Sequence, residues 1–133
     1  MATMQVEVVS AERHVLSAEA TELYARSVEG EFGILPGHQP ALIELDVAPV
    51  KVRLADGSEE RIAVHHGLLY VGREKIIVLA DIAELASRID VRRAEARRKQ
   101  LEARLAEDED AVFRASLKKQ EVRLAVASGR DEA

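Results

Sequence analysis

The stretch SVEGEFGILPGH, residues 27–38, carries the strongest structural signal in this chain. Three glycines and one proline lie within these twelve residues, and segments of β-type pattern flank them on both sides. Glycine reaches backbone angles that residues with a Cβ avoid, and proline fixes its own φ. The sequence therefore predicts a shaped, exposed connection between two strands, of the kind that often contacts a partner.

Short segments of alternating polar and apolar residues surround this stretch and predict β-structure as far as about residue 80. Asp-Gly within residues 55–58 is typical of a hairpin turn, and residues 72–75 form a second tight connection. The predicted strands are residues 5–8, 20–28, 50–54, 60–64, 68–71 and 76–79. Many short strands with frequent turns predict an antiparallel β-sandwich or flattened barrel.

Residues 87–127 contain no proline or glycine and are rich in strong helix formers. Asp90 is the predicted N-cap of a first helix, with Val91 as its first residue. Four adjacent acidic residues at 107–110 predict a turn, because like charges repel and acids suit the start of a second helix. The pattern predicts an antiparallel hairpin of two helices of about 15 residues each.

The apolar stripes of these two helices are thin, and Arg98 and Gln120 interrupt them. The stripe residues are Val91, Ala94, Leu101 and Leu105 in the first helix and Phe113, Leu117 and Leu124 in the second. At about 25 cal/mol per Å² of buried apolar surface, such a pair is marginal on its own. We infer that the hairpin packs weakly and can exchange its neighbours.

Together the patterns predict an α+β protein with a β-sandwich domain over residues 1–86 and an α-hairpin domain over residues 87–133. The net charge of −5 is divided unevenly between two parts of the chain. Residues 1–84 carry a net charge of −7, whereas residues 85–133 carry +2. Such asymmetry indicates two segments with different partners.

The composition excludes several classes of function. The chain has no cysteine, which rules out disulfides, zinc–thiolate sites and thiol nucleophiles. Aromatic residues make up only 3% and the net charge is negative, so nucleic-acid binding is disfavoured. No signal peptide and no run of the ~20 apolar residues needed to span a membrane are visible. We expect a soluble chain that reaches a membrane only through its partners.

No set of catalytic or metal-ligating residues stands out. His65 and His66 are adjacent on a predicted strand and point to opposite faces, so they do not share one metal ion. The glycine-containing residues 30–33 lack the Lys-Ser/Thr that follows in a phosphate-binding loop. We therefore expect no metal site and no catalytic activity. A small metal-dependent sandwich enzyme is the enzymatic alternative.

The order of the motifs resembles the epsilon subunit of bacterial F-type ATP synthases. Residues 8–12, VVSAE, are similar to the first strand of that family, and residues 27–38 to its central motif. Residues 67–71, GLLYV, and 78–81, VLAD, are similar to its last strands. A basic α-hairpin then follows at the matching place, so the resemblance covers nearly the whole chain.

The resemblance implies a non-catalytic rotor subunit of the central stalk at the cytoplasmic face of the bacterial plasma membrane. Such a subunit couples ion flow through the membrane ring to ATP synthesis. It binds the γ subunit and the c-ring through the sandwich, here with Glu31 and His38 as contacts. Its C-terminal helices inhibit ATP hydrolysis when they extend toward the α and β subunits. The implied contacts with β are Arg92, Arg97, Arg98 and Lys99.

Residues 89–94, IDVRRA, match the I/L-D-x-x-R-A motif with which some bacterial epsilon subunits bind ATP. A helix N-terminus suits phosphate, and an arginine fork can hydrogen-bond it. The site implied by the resemblance consists of Glu84, Ile89, Asp90, Arg93, Ala94 and Arg123. Asp90 as a plain N-cap and Arg93 as a surface ion pair are the alternatives.

Two positions depart from the resembled ATP site, because Gln100 and Lys119 stand where the tightest binders have arginine. Each replacement removes a planar fork or a charge. The resemblance thus implies no required cofactor and at most weak binding of ATP as a regulatory ligand. A module that senses ATP through its hairpin is the alternative to the rotor function.

Overall fold

A computed structural model describes residues 2–130 of the chain. Met1 and residues 131–133, the end of the predicted α-hairpin domain, lie outside the described part. The strands within it are β1 (Met4–Ser10), β2 (His14–Ser27), β3 (Gly30–Ile34), β4 (Ala41–Leu45), β5 (Ala48–Leu54), β6 (Glu59–Val71) and β7 (Lys75–Leu85). A short 3-10 turn (Ala86–Arg88) then leads to α1 (Val91–Glu107) and α2 (Ala111–Ser128).

The strands pair into a closed ring in the order β1–β7–β6–β5–β2 and back to β1, which agrees with the predicted sandwich or flattened barrel. β3 extends the ring beside β2, and β4 extends it beside β6. The predicted antiparallel arrangement holds for the described pairs except β1 with β7, which run parallel. The interior is filled by aliphatic side chains, of which Leu23, Ile34, Leu45, Ile62 and Leu69 are among the largest.

The stretch 27–38 is only partly the connection that its glycines predict. Residues 28 and 29 form a tight turn, and β3 then pairs back onto β2 as the second strand of a hairpin. Gly33 lies under the ring of Tyr24, where an added Cβ would come within 2.8 Å of the ring carbon Cε1. A glycine is needed at this position because the ring of Tyr24 lies so close to the backbone of β3. The exposed connection is confined to the residues after Ile34.

β6 is a single strand of 13 residues, so the predicted break between residues 64 and 68 is wrong. A kink explains the lost alternation, because His66 has φ 60° and Gly67 has φ 152°. The kink moves the core-facing positions from the even residues, such as Val64, to the odd residues, such as Leu69. β6 pairs with β5 before the kink and with β4 after it.

The first helix begins at Val91 as the sequence predicts, but both helices, at 17 and 18 residues, are longer than expected, and α1 includes Glu107 of the predicted turn. Asp90 caps α1 by accepting a hydrogen bond from the backbone N–H of Arg93 at 3.1 Å. Asp110 caps α2 by accepting from the N–H groups of Val112 and Phe113. Side-chain acceptors at these positions satisfy helix N–H groups that otherwise lack partners.

The helical hairpin, α1 with α2, rests on the sheet through a small apolar cluster. The cluster consists of Val47, Ala63, Ile89, Val122 and Val126. α2 provides two of these side chains, whereas the sandwich core contains 18 buried residues within residues 2–130. Since full burial of a valine contributes about 1.5–3 kcal/mol at most, the apolar part of this contact is modest. The small size of this apolar cluster is consistent with the prediction that the hairpin packs weakly.

The stripe predicted to join the two helices is partly wrong. Val91 is 43% exposed, whereas Gln120, expected to interrupt the stripe, is buried. Ala94 and Leu101 of α1 are buried as predicted. The difference arises because α2 packs against both α1 and the sheet. A single apolar stripe, which assumes one packing partner, does not identify all of its buried residues.

Candidate functional site

A cleft opens where the end of β7 meets the first turns of α1 and the side of α2. Its volume is about 770 Å³, within the ~300–1,000 Å³ typical of small-molecule sites. The residues lining this helix–sheet cleft are Glu84, Arg88, Asp90, Arg93, Ala94, Ala96, Arg97, Gln100, Gln120 and Arg123. Four arginines against two carboxylates, beside the N-terminus of a 17-residue helix, make the cleft favourable to anions.

Five of the six residues predicted for an ATP site line the cleft together: Glu84, Asp90, Arg93, Ala94 and Arg123. The sixth, Ile89, is buried in the apolar cluster between hairpin and sheet. Its side chain anchors the start of α1 and does not line the cleft. Of the two departures noted in the sequence, Gln100 lines the cleft and Lys119 does not.

Glu84 joins three elements of the structure at one carboxylate oxygen. The guanidinium Nε of Arg123, on α2, donates to Oε1 of Glu84 at 2.6 Å. The ring Nε2 of His65, on β6, lies 3.3 Å from the same oxygen. The Glu84 side chain is 30% exposed and the His65 side chain only 1%. The carboxylate thus links the sheet to the second helix.

The sequence indicated that His65 is a surface or strand-end histidine, which is wrong, because its side chain is only 1% exposed and lies in the middle of β6. Its role depends on the pairing register, in which Ala63 lies opposite Glu84. His65 lies two residues further along β6 and therefore shares the face of Ala63 and Glu84. Nothing in the order of residues along the chain reveals this register, so no sequence signal pointed to the histidine.

Hydrogen bonds from His65 and then from Arg123, with the positive charge of Arg123, lower the pKa of Glu84 to about 2. Partial burial acts in the opposite direction, because it penalises the charged form. The bonds to the carboxylate outweigh this penalty. Glu84 is therefore ionised throughout the neutral pH range, as its pairing with Arg123 requires.

Two other cleft residues have partners of their own. Asp90 is held as the N-cap of α1, which is the plain role left open for it. The Arg97 guanidinium donates to Oε1 of Gln100 at 2.6 Å, so Gln100 orients an arginine while adding no charge. The cleft in this form already has much of its polar surface hydrogen-bonded internally.

The four cationic residues predicted to contact a β subunit do not share one face of α1. Arg92 and Lys99 are exposed to solvent. Arg97 lines the helix–sheet cleft, whereas Arg98 lines a groove on the opposite side of the hairpin. In that groove Arg98 lies 3.6 Å from Glu102. The four residues therefore face in different directions around α1, and Arg97 is exposed although it lines the cleft.

Glu31 lies near the start of β3, where it lines a small cleft with Pro49 and Lys51 of β5, and His38 follows the other end of β3. Glu31 is 76% exposed at its side chain and lies 3.4 Å from Arg26 on the paired strand. His38 is exposed in the connection after β3, and its Nδ1 lies 2.7 Å from the carbonyl oxygen of Gln39. Both side chains are accessible to a partner.

A further surface, which the sequence did not predict, is an apolar face on β4, β6 and β7. Leu42 lies opposite Tyr70 in the register of β4 and β6, and Leu68 lies opposite Leu79 in that of β6 and β7. These four side chains are 42–67% exposed. We call them the outer apolar face. Clustered apolar exposure of this kind marks interaction surfaces.

Within residues 2–130, no group of three or more His, Asp or Glu side chains is arranged to hold a metal ion. Neither helix in this range combines the length and the apolar character needed to cross a membrane.

Acidification should weaken the structure through Glu84. The ordinary pKa of a glutamate is 4.5 and that of Glu84 is about 2, so the stabilisation is complete above about pH 4.5 and lost as pH falls toward 2. We expect this link to contribute about 1–2 kcal/mol, allowing for solvent screening of a partly exposed pair. Chemical unfolding between pH 6 and 2.5 should show a steeper loss for the parent chain than for Glu84→Gln. Glu12→Gln, at an exposed bend, is the control and should follow the parent; equal slopes for the parent and Glu84→Gln would contradict the assignment.

Comparison with known proteins shows one family over the whole chain. Residues 3–86 match the family model described as ATP synthase, Delta/Epsilon chain, beta-sandwich domain. The ATP synthase epsilon chain of Streptomyces coelicolor is 43% identical over 129 residues, which cover 97% of this chain and 98% of the relative. That of Brevibacillus brevis is 43% identical over 107 residues, which cover 80% of this chain and 81% of the relative.

Solved structures share the fold at low sequence identity. A chain in the structure of the Euglena gracilis mitochondrial ATP synthase, comprising OSCP, F1 and c-ring, matches with a TM-score of 0.73 at 18% identity. This match covers 96% of the present chain and 79% of the other. The family model covers the sandwich, and the Streptomyces coelicolor relative is similar to this chain along 98% of its own length. The chain therefore belongs to the family of ATP synthase epsilon chains.

Proposed function

We propose that this epsilon chain is a non-catalytic rotor subunit in the central stalk of a bacterial F-type ATP synthase. It couples ion flow through the membrane ring to ATP synthesis, and its helical hairpin inhibits ATP hydrolysis. It is held at the cytoplasmic face of the plasma membrane through its partners. The observation that carries this proposal is the 43% identity over 129 residues to an epsilon chain, which includes both the sandwich and the hairpin.

The outer apolar face supports a stable attachment to the γ subunit. Large aliphatic and aromatic side chains on a regular sheet offer a rigid surface with little conformational entropy to lose on binding. Leu42 alone is 67% exposed, so covering it removes apolar surface from water without any rearrangement of the sandwich. The c-ring is the proposed partner of β3 and the connection after it, through Glu31 and His38.

The form of the hairpin supports a regulatory role. Its contact with the sheet combines one small apolar cluster with the link between Glu84 and Arg123. Because so few contacts hold the docked hairpin, a competing protein surface could shift the equilibrium between its docked and extended forms. Extension toward the α and β subunits would separate Arg97 from the sheet side of the cleft. Arg92, Arg97, Arg98 and Lys99 would then contact acidic segments of β.

ATP sensing is the second candidate function, and the convergence of five predicted residues on the helix–sheet cleft favours it. Arg93 and Arg97 on α1 and Arg123 on α2 could contact phosphates from two helices at once. Two features reduce the affinity. Arg123 must leave Glu84 or be shared with it, and Gln100 adds no charge. We propose weak regulatory binding and no required cofactor.

A charge on the outer apolar face should disrupt attachment to γ. Because Leu42→Glu places an ionised carboxylate in the proposed contact, we expect at least a tenfold loss of affinity for γ, measured by co-purification and by titration. Val112→Glu is the matched control: Val112 is 70% exposed at the start of α2, outside the strands that form this face, and this variant should bind normally. Equal binding by both variants would remove the outer apolar face from the proposal.

Removal of residues 88–133 should increase ATP hydrolysis by the assembled complex, because the inhibitory element is lost while the sandwich remains. The measurement compares complexes that contain equal amounts of full-length and shortened chain, at the same ATP concentration. An unchanged rate would show that the hairpin does not inhibit hydrolysis in this enzyme.

Calorimetric titration of the isolated chain with ATP tests the second candidate. We expect weak heat of binding that is lost in Arg93→Ala, since this arginine lies in the cleft beside the N-terminus of α1. Arg73→Ala, in the exposed turn between β6 and β7, is the control and should bind as the parent does. A flat titration of the parent chain would dispose of ATP sensing.

A further inference from the structure

We infer that His65 is a positioning residue, whose buried ring holds the Glu84 carboxylate toward Arg123 and so keeps the helical hairpin docked on the sheet. The inference deepens the proposed regulatory function and rests on it, because hairpin release is the step that His65 would control. It concerns a residue outside the cleft lining, which acts only through Glu84.

The geometry places His65 and Arg123 on one acceptor. Nε2 of the ring and Nε of the guanidinium lie 3.3 and 2.6 Å from the same Oε1 atom of Glu84. The ring belongs to a central strand of the sheet, whereas the guanidinium belongs to α2. A carboxylate fixed by the sheet is therefore presented to the helix already oriented, which reduces the entropy lost when the arginine binds.

The hydrogen bonds around the ring indicate its tautomer. Nδ1 is buried and has no hydrogen-bond partner among the described residues. A hydrogen on Nδ1 would be an unsatisfied buried donor, so the favoured neutral tautomer carries its hydrogen on Nε2 and donates to Glu84. The ring is 1% exposed, and its strand neighbours Ala63 and Val64 are apolar and buried. Burial of a polar ring in this apolar environment costs free energy, and an aliphatic residue would avoid that cost. The hydrogen bond to Glu84 offsets it.

Without the ring, the carboxylate has other cations within the cleft. Arg88 and Arg93 line the same cavity and belong to the 3-10 turn and to α1. His65 approaches Glu84 from the sheet side and directs it toward α2.

Arg123 also follows Val122, which belongs to the apolar cluster between hairpin and sheet. Loss of the ion pair and loss of the apolar contact therefore affect the same turn of α2.

Amide side chains provide a matched test, because the glutamine amide nitrogen can occupy the place of Nε2 and the asparagine amide the place of Nδ1. The full chain has no native cysteine, so Ala11→Cys and Ala103→Cys, both exposed, allow spin labels on the sandwich and on α1. We expect docked label distances in the parent and in His65→Gln. His65→Asn should show at least a threefold larger undocked population.

A double-mutant cycle separates positioning from simple packing. In a Glu84→Ala background, His65→Asn should cause no further undocking, because the ring acts through that carboxylate. Equal undocking by His65→Gln and His65→Asn would overturn the inference, as would an additive effect in the cycle. Thermal unfolding of each variant confirms that only folded chains are compared.

Ring nitrogen NMR of the otherwise unchanged chain gives a test that does not depend on the folding of any His65 variant. The inference requires the Nε2–H tautomer, with its signal perturbed in Glu84→Ala; an Nδ1–H tautomer would overturn it. ATP hydrolysis by complexes containing His65→Asn then distinguishes the two proposals. Undocking with no change in hydrolysis would refute the inhibitory function while supporting the role of His65.

Discussion

The bond between Arg123 and Glu84 is the interaction on which the arrangement of hairpin and sheet depends. The two atoms are 2.6 Å apart, and they join α2 to the last strand of a closed ring of strands. The apolar cluster beside the bond is small, and the charge-assisted hydrogen bond adds a directional contact to it. Such a bond is directional and can be broken by one competing charge, whereas a broad apolar contact would need a large partner surface.

The two parts of the chain therefore differ in how they are stabilised. The sandwich closes its strands around the 18 buried core residues found within residues 2–130, and such close packing makes it rigid. That rigidity suits a surface meant to stay attached, such as the outer apolar face. The hairpin has well-capped helices but little shared core with the sheet, so it can move as a unit without unfolding. Rigid attachment and exchangeable docking are the two properties that the proposed stalk function requires.

Local chemistry could be predicted from the sequence, and long-range register could not. The cap at Asp90, the acidic turn and the Asp-Gly hairpin depend on neighbouring residues, and the structure contains each of them. The kink at His66 reverses which residues face the core, and alternation alone misread it as a break. The bond from His65 to Glu84 depends on how β6 pairs with β7, which no local pattern encodes. The predicted ATP-site residues do converge, yet only the fold reveals that Arg123 already has a partner.

This prior pairing changes how a phosphate ligand would act on the hairpin. A ligand contacting Arg93 of α1 and Arg123 of α2 would bridge the helices, but it must share Arg123 with Glu84 or replace it. The ligand could then stabilise the docked hairpin only by the difference in free energy between its own contacts with the arginines and the contact of Arg123 with Glu84. Gln100 lowers the gain on the ligand side, while the ring of His65 raises the cost of displacing the carboxylate. In this chain, the link between α2 and the sheet is therefore already formed without a ligand, and a ligand would act against it as well as with it.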